Sequence, residues 1–166
     1  TEGQFTAQIR GLLQRLNVRI GRLYSPGCPW RHALWDGMTY VSSVECGLDL
    51  MPYIVNGTVT AQGDPADRYM EDNTNSQDPG YFSAGLVTFT SGNNTGLTRE
   101  VNEWVEPLFQ FKRPFPYAIE IGDTYTAVKG DDKTFATCLA YANVIHFGGF
   151  PHLPGFNKVY SNVVDL

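Results

Sequence analysis

The sequence predicts an α+β chain that is predominantly β, with antiparallel strands and hairpins, an N-terminal helix and a short C-terminal helix, in one domain spanning residues 1–166. Three observations lead there. Seventeen Gly, ten Pro and twenty-two aromatic residues (ten Phe, nine Tyr, three Trp) favour a turn-rich β architecture. Apolar residues take clear helical spacing only near the two ends of the chain. Between them, β-branched or alternating runs are separated by glycine-bearing turns.

The first element is a helix over about 5–17. Phe5, Ile9, Leu12, Leu13 and Leu16 recur on one apolar face, Thr6 is placed to cap it, and Gly11 weakens it by up to about 1 kcal/mol. Gly57 to Ala61 is β-branched, and Leu86 to Thr90 alternates, so both read as strands. The run from Val101 to Phe109 suits a helix through Val101, Trp104, Val105 and Leu108. The turn-rich stretch Ser91 to Gly96 before it reads as a hairpin loop, which favours a strand. Tyr117 to Ile121 and Thr124 to Val128 flank Gly122-Asp123, a two-residue loop that predicts a second hairpin. Phe135, Cys138, Leu139 and Ala142 then mark the short helix. Residues 62–80 are polar and read as an exposed loop. There is no internal repeat and no domain boundary.

A chain of 166 residues buries roughly 70% of its unfolded surface, so a metal is not needed merely to reach a stable core. A net charge of −5 without a Lys/Arg run argues against nucleic-acid specificity and against anionic membrane surfaces. No apolar run approaches the roughly 20 residues of a membrane span, and the N-terminal stretch has no apolar signal-peptide core. The triplets Asn56-Gly57-Thr58 and Asn93-Asn94-Thr95 read as chance matches to a glycosylation acceptor.

The chemistry concentrates in residues 130–155, GDDKTFATCLAYANVIHFGGFPHLPG, where a thiol, two carboxylates, His146 and His152 stand close together. Cys28, Cys46 and Cys138 are three thiols and cannot all pair as disulfides. Their spacing lacks the CxxC pattern of zinc or ferredoxin sites. Three readings stay open: ligands of a metal or cluster, buried small hydrophobes, or a Cys28–Cys46 disulfide in an oxidising compartment. Asp131 and Asp132 precede the short helix, where acidic residues cap and suit the helix dipole; Asp131 could alternatively share a face with Cys138. His32, His146 and His152 allow a Cys–His nucleophile pair or satisfied structural histidines, and no nucleophile motif selects the former.

The chain resembles the tail hub, or tail-tip, proteins of tailed siphophages and gene transfer agents, and is similar to the C-terminal iron–sulfur domain of lambda-type tail-tip proteins. The resemblance runs through IRGLLQRLNVRIGRLYSPGC, CGLDL, GTVTA and GYFSAGLVTFTSGNNTGLTREV. It closes with IGDTYTAVKGDDKTFATC and NVIHFGGFPHLPG, the most specific block. It implies a non-enzymatic structural protein of the virion tail tip, made in the bacterial host cytoplasm. It also implies a homotrimer with other tail-tip and tail-tube proteins as partners. Family members carry four cysteines that look like cluster ligands; three match Cys28, Cys46 and Cys138, and the fourth falls where this chain has Asp131. The interval between Cys28 and Cys46 is also longer here. The resemblance thus implies a [4Fe–4S] cluster held by three thiolates and Asp131, with a [3Fe–4S] cluster, zinc or no cofactor as alternatives and His32 as another replacement ligand. The competing functions are a thiol (Cys/His) peptidase acting on the cell wall during infection and a cofactor-free β interaction module.

Overall fold

A computed structural model describes residues 24–153; the predicted helix over about 5–17 lies outside them. Nine strands and one α-helix follow in chain order among the described residues: β1 (Leu34–Trp35), β2 (Tyr40–Val41), β3 (Ile54–Thr58), β4 (Ala61–Gln62), β5 (Tyr69–Glu71), β6 (Leu86–Phe89), β7 (Thr98–Val105), β8 (Leu108–Phe111), β9 (Thr124–Val128) and α1 (Phe135–Ala140). β1 and β2 form a small ribbon of their own. The other seven make one sheet in the order β3-β9-β6-β7-β8-β5-β4, every neighbour antiparallel. The predominantly β fold with a short C-terminal helix is therefore present.

The centre of that sheet is covered on both faces, which explains why β6 and β9 are buried along almost their whole length. Strand side chains alternate between faces. Val87, Phe89, Tyr125 and Ala127 enter a large aromatic core with Phe82, Trp104 and Phe109. Leu86 and Val128 face the opposite way, toward a smaller cluster of Ala33, Tyr40 and Leu50 supplied by the first ribbon and its flanking loops. On that face the Tyr40 hydroxyl meets Thr88 Oγ1 at 2.7 Å. In the main core Trp104 and Phe109 lie with ring centroids 4.2 Å apart, and Phe82 meets Trp104 edge-on at 5.3 Å. Such pairs each add about 0.5–1.5 kcal/mol beyond their area burial. The fully buried acid Asp72 is satisfied: the Tyr125 hydroxyl donates to its Oδ2 at 2.6 Å and the Thr74 amide to its Oδ1 at 2.9 Å.

Several sequence expectations change in detail. The Leu86–Thr90 strand and its hairpin partner are present as β6 and β7. The Val101–Phe109 run is strand, not helix, but splits into β7 and β8 around Glu106-Pro107. The Gly57–Ala61 strand lies earlier, at β3, with a separate β4 after it. The supposed loop 62–80 contains β5, and the interval between Cys28 and Cys46 contains β1 and β2. The Tyr117–Val128 hairpin does not form. Its second arm is β9, which pairs with β3 and β6 instead. Its first arm follows Pro114 and Pro116, which cannot donate to a ladder. That arm and the residues before it are tied to the turn before β5 by single bonds, from the Phe115 amide to Asp67 O and from the Ile119 amide to Ala66 O, both at 2.8 Å.

Candidate functional site: a thiol cavity in the cap

Three loops and the short helix meet outside the smaller core. The first loop carries Cys28, whose amide donates to Lys133 O at 2.8 Å and so joins it to the segment before α1. The second is a tight turn in which the Cys46 and Gly47 amides donate to Ser43 O at 3.1 and 2.9 Å. Gly47 takes φ +59 there, a conformation that suits glycine. Cys138 lies within α1, whose N-cap Thr134 accepts from the Thr137 amide; Asp132 in turn accepts from the Thr134 amide and hydroxyl. Asp132 thus supports the cap rather than being it.

The Phe147-Gly148-Gly149-Phe150 loop closes over Cys28. The Phe150 amide donates to Ser25 O at 2.8 Å, and Phe150 packs on Tyr24 with centroids 4.6 Å apart. The Gly148 amide points at Cys28 Sγ at 3.5 Å. A Cβ at Gly149 would lie 2.6 Å from Pro26 O, so this approach requires the glycine. Gly149 of the sequence motif therefore has a packing reason.

Cys28, Cys46, Cys138 and Asp131 all line one cavity, with His32, Asn143 and His146 also in its wall. All three cysteines are free. The cavity measures about 20 Å³, room for about one water molecule. Among the described residues, no three His, Cys, Asp or Glu side chains are arranged to hold a single metal ion.

Burial pushes the thiols of Cys46 and Cys138 above the ordinary cysteine range. For Cys138 the neighbouring negative groups Cys28, Asp131 and Cys46 add to that rise; for Cys46 the Lys133 ammonium opposes it. The Cys138 thiol donates to Asn143 O at 3.2 Å. Asp131 accepts from the Lys133 amide and from Lys133 Nζ, each at 2.9 Å, and faces His32 Nδ1 at 3.8 Å. His32 donates from Nε2 to Lys129 O at 3.1 Å, and burial lowers its pKa despite the opposing pull of Asp131.

Asn143, present in the sequence only as one letter of a motif, turns out to be the organiser. Its Nδ2 donates to Cys46 O at 2.7 Å and lies 3.8 Å from Cys46 Sγ; its Oδ1 accepts from His146 Nδ1 at 2.7 Å. Lys133 was equally hidden, since no spacing rule marks a lysine that clamps its neighbour two residues back. His152 is exposed and does not line the cavity.

Comparison with known proteins adds two findings. Residues 80–157 match the family model described as Phage conserved hypothetical protein BR0599. A solved structure described as the virion of a native gene transfer agent particle contains a chain of similar fold, with a TM-score of 0.68 and 24% identity. The likeness is one of fold. It covers 90% of this chain and 51% of that one, so the present chain spans about half the length of the protein it matches. The search of curated proteins found no match.

Proposed function

We propose that this chain is a structural, non-enzymatic component of a phage-type virion, at the tail tip or hub, and that Cys28, Cys46 and Cys138 bind an iron–sulfur cluster there. The observation that carries the cofactor is the meeting of three free thiols from three separated segments in one cavity. Soft sulfur donors suit iron–sulfur groups and zinc. Burial, with the negative charge gathered around them, raises the cost of ionising Cys46 and Cys138, and the positive charge of iron would offset it. Zinc is the alternative occupant: it needs its ligands within about 2.3 Å of one point, whereas a cluster spreads its ligands over a larger body. At about 20 Å³ the cavity would have to widen to take a cluster. Asp131 is the sequence candidate for the fourth position.

Such a cluster would cross-link the Cys28 loop, the Cys46 turn and α1, restricting the unfolded chain as other long-loop closures do. Its binding free energy would add directly to folding free energy. This suits a part that must stay folded while it closes a tail tube. The virion assignment is supported by the phage-family match over residues 80–157 and by the fold shared with a virion chain, while the tail-tip position rests on the sequence resemblance. The homotrimer and the tail-tip and tail-tube partners rest on the sequence resemblance. Closed rotational symmetry then requires two different complementary patches on each subunit.

A thiol peptidase would need a cysteine with a depressed pKa beside a histidine. Cys138 shows the opposite shift, and its thiol points to a backbone carbonyl. The virion reading is tested by decorating intact particles with gold-labelled antibody against this chain. Label confined to one tail end, with a trimeric mass for the excised assembly, is expected; label on capsids or none on particles would overturn it.

A further inference from the structure

We infer that the fourth cluster position is taken by Nε2 of His146, with Asn143 as its positioning residue, rather than by Asp131. This rests on the cluster reading above and adds the identity of one ligand.

Hydrogen bonding around Asn143 fixes which ring nitrogen of His146 carries the proton. Cys46 O can only accept, so the Asn143 atom 2.7 Å from it is the amide nitrogen. The other amide atom is then the carbonyl oxygen, which also only accepts. His146 Nδ1, 2.7 Å from that oxygen, must therefore carry the proton. In the neutral ring this leaves Nε2 with a bare lone pair, the form in which imidazole binds metals. A ligating histidine usually donates its other ring N–H to an oxygen that fixes its tautomer, and Asn143 fills that role here.

Position agrees with tautomer. His146 lines the thiol cavity, and its Nε2 edge lies against Gly47, next to Cys46; a Cβ at Gly47 would be 3.5 Å from Nε2. Asn143 bonds Cys46 and His146 through its side chain and Cys138 through its backbone carbonyl, so one residue sets the positions of three cavity groups. Asp131, by contrast, has both oxygens committed to Lys133, whose ammonium is also bound to Trp30 O at 3.0 Å. Freeing that carboxylate for iron would break a charge-assisted clamp, while among the described residues no hydrogen bond to His146 Nε2 would have to be broken.

The test uses the full chain reconstituted without air with ferrous iron and sulfide, as wild type, His146→Gln, Asp131→Asn and Asn143→Ala. The reduced cluster is read by pulsed electron paramagnetic resonance for nitrogen hyperfine coupling, with ¹⁵N-histidine labelling to assign it. His146 is exposed at the cavity mouth, so its glutamine variant should fold, which circular dichroism checks. The expected result is a histidine coupling in wild type and Asp131→Asn, lost in His146→Gln. Asn143→Ala should weaken iron retention roughly 10–100-fold. A cluster without histidine coupling, or one whose iron is lost only in Asp131→Asn, overturns the assignment while leaving the cluster intact. A wild-type chain that assembles no cluster overturns both this and the reading beneath it.

Discussion

Asn143 and Cys46 lie 97 residues apart in the chain, yet the Asn143 amide donates to the Cys46 carbonyl across 2.7 Å in a buried contact. That bond ties the turn before the large sheet to the segment after α1. Both walls of the thiol cavity are thereby fixed before any cofactor is considered. Asn143→Ala removes the bond to Cys46 and the acceptor for His146 together. Leaving a buried carbonyl unsatisfied costs about 1–3 kcal/mol. Urea denaturation of the cofactor-free chain should show a loss of that size, with the slope of the transition unchanged.

Asp72 is fully buried, and Tyr125 of the main core donates to it at 2.6 Å. Tyr125→Phe keeps the ring packing but withdraws that donor from a fully buried acid. The expected destabilisation is about 1–3 kcal/mol by thermal or urea unfolding. A stability within a few tenths of wild type would mean that the hydroxyl is not what makes Asp72 tolerable inside the sheet.

Gly149 stands where the closing loop touches the Cys28 segment, and an added methyl would meet the backbone of Pro26 and Gly27 at 2.6–2.8 Å. Neither neighbour is a flexible side-chain end, so the loop must move. Gly149→Ala should cost about 1–3 kcal/mol and increase alkylation of Cys28 relative to Cys46. Equal alkylation of the two thiols in wild type and variant would contradict the closing role of this loop.

Alkaline pH supplies a further check. Burial raises the pKa of Tyr40, Tyr125 and Tyr141 well above the ordinary tyrosine value near 10. The folded state therefore keeps protons that the unfolded chain releases, and stability is fully present below pH 10. It is lost progressively as the pH rises beyond that value. Spectrophotometric titration should show some tyrosines ionising only with unfolding, in one cooperative step.

The sequence revealed the class of the fold through composition and through β6, whose alternation serves two cores on opposite faces. It misplaced the Gly122-Asp123 hairpin because local turn chemistry says nothing about which distant strand pairs with the arm that follows. β9 went to β3 and β6, a long-range choice made by burial. The ribbon of β1 and β2 was invisible because two-residue strands carry no periodicity. At the site, the thiols were legible because odd cysteines are conspicuous. Asn143 and Lys133 were not, since their roles depend on carbonyls and carboxylates that only the folded chain brings near.

The central claim, that Cys28, Cys46 and Cys138 bind an iron–sulfur cluster, is tested most directly by the visible spectrum of the full chain purified without air, with iron and sulfide assayed on the same sample. Predicted are a broad visible absorption that bleaches on reduction, matched iron and sulfide, and loss of all three signals in Cys138→Ser. A colourless protein that stays free of iron and sulfide after anaerobic reconstitution, with three titratable thiols, would contradict it.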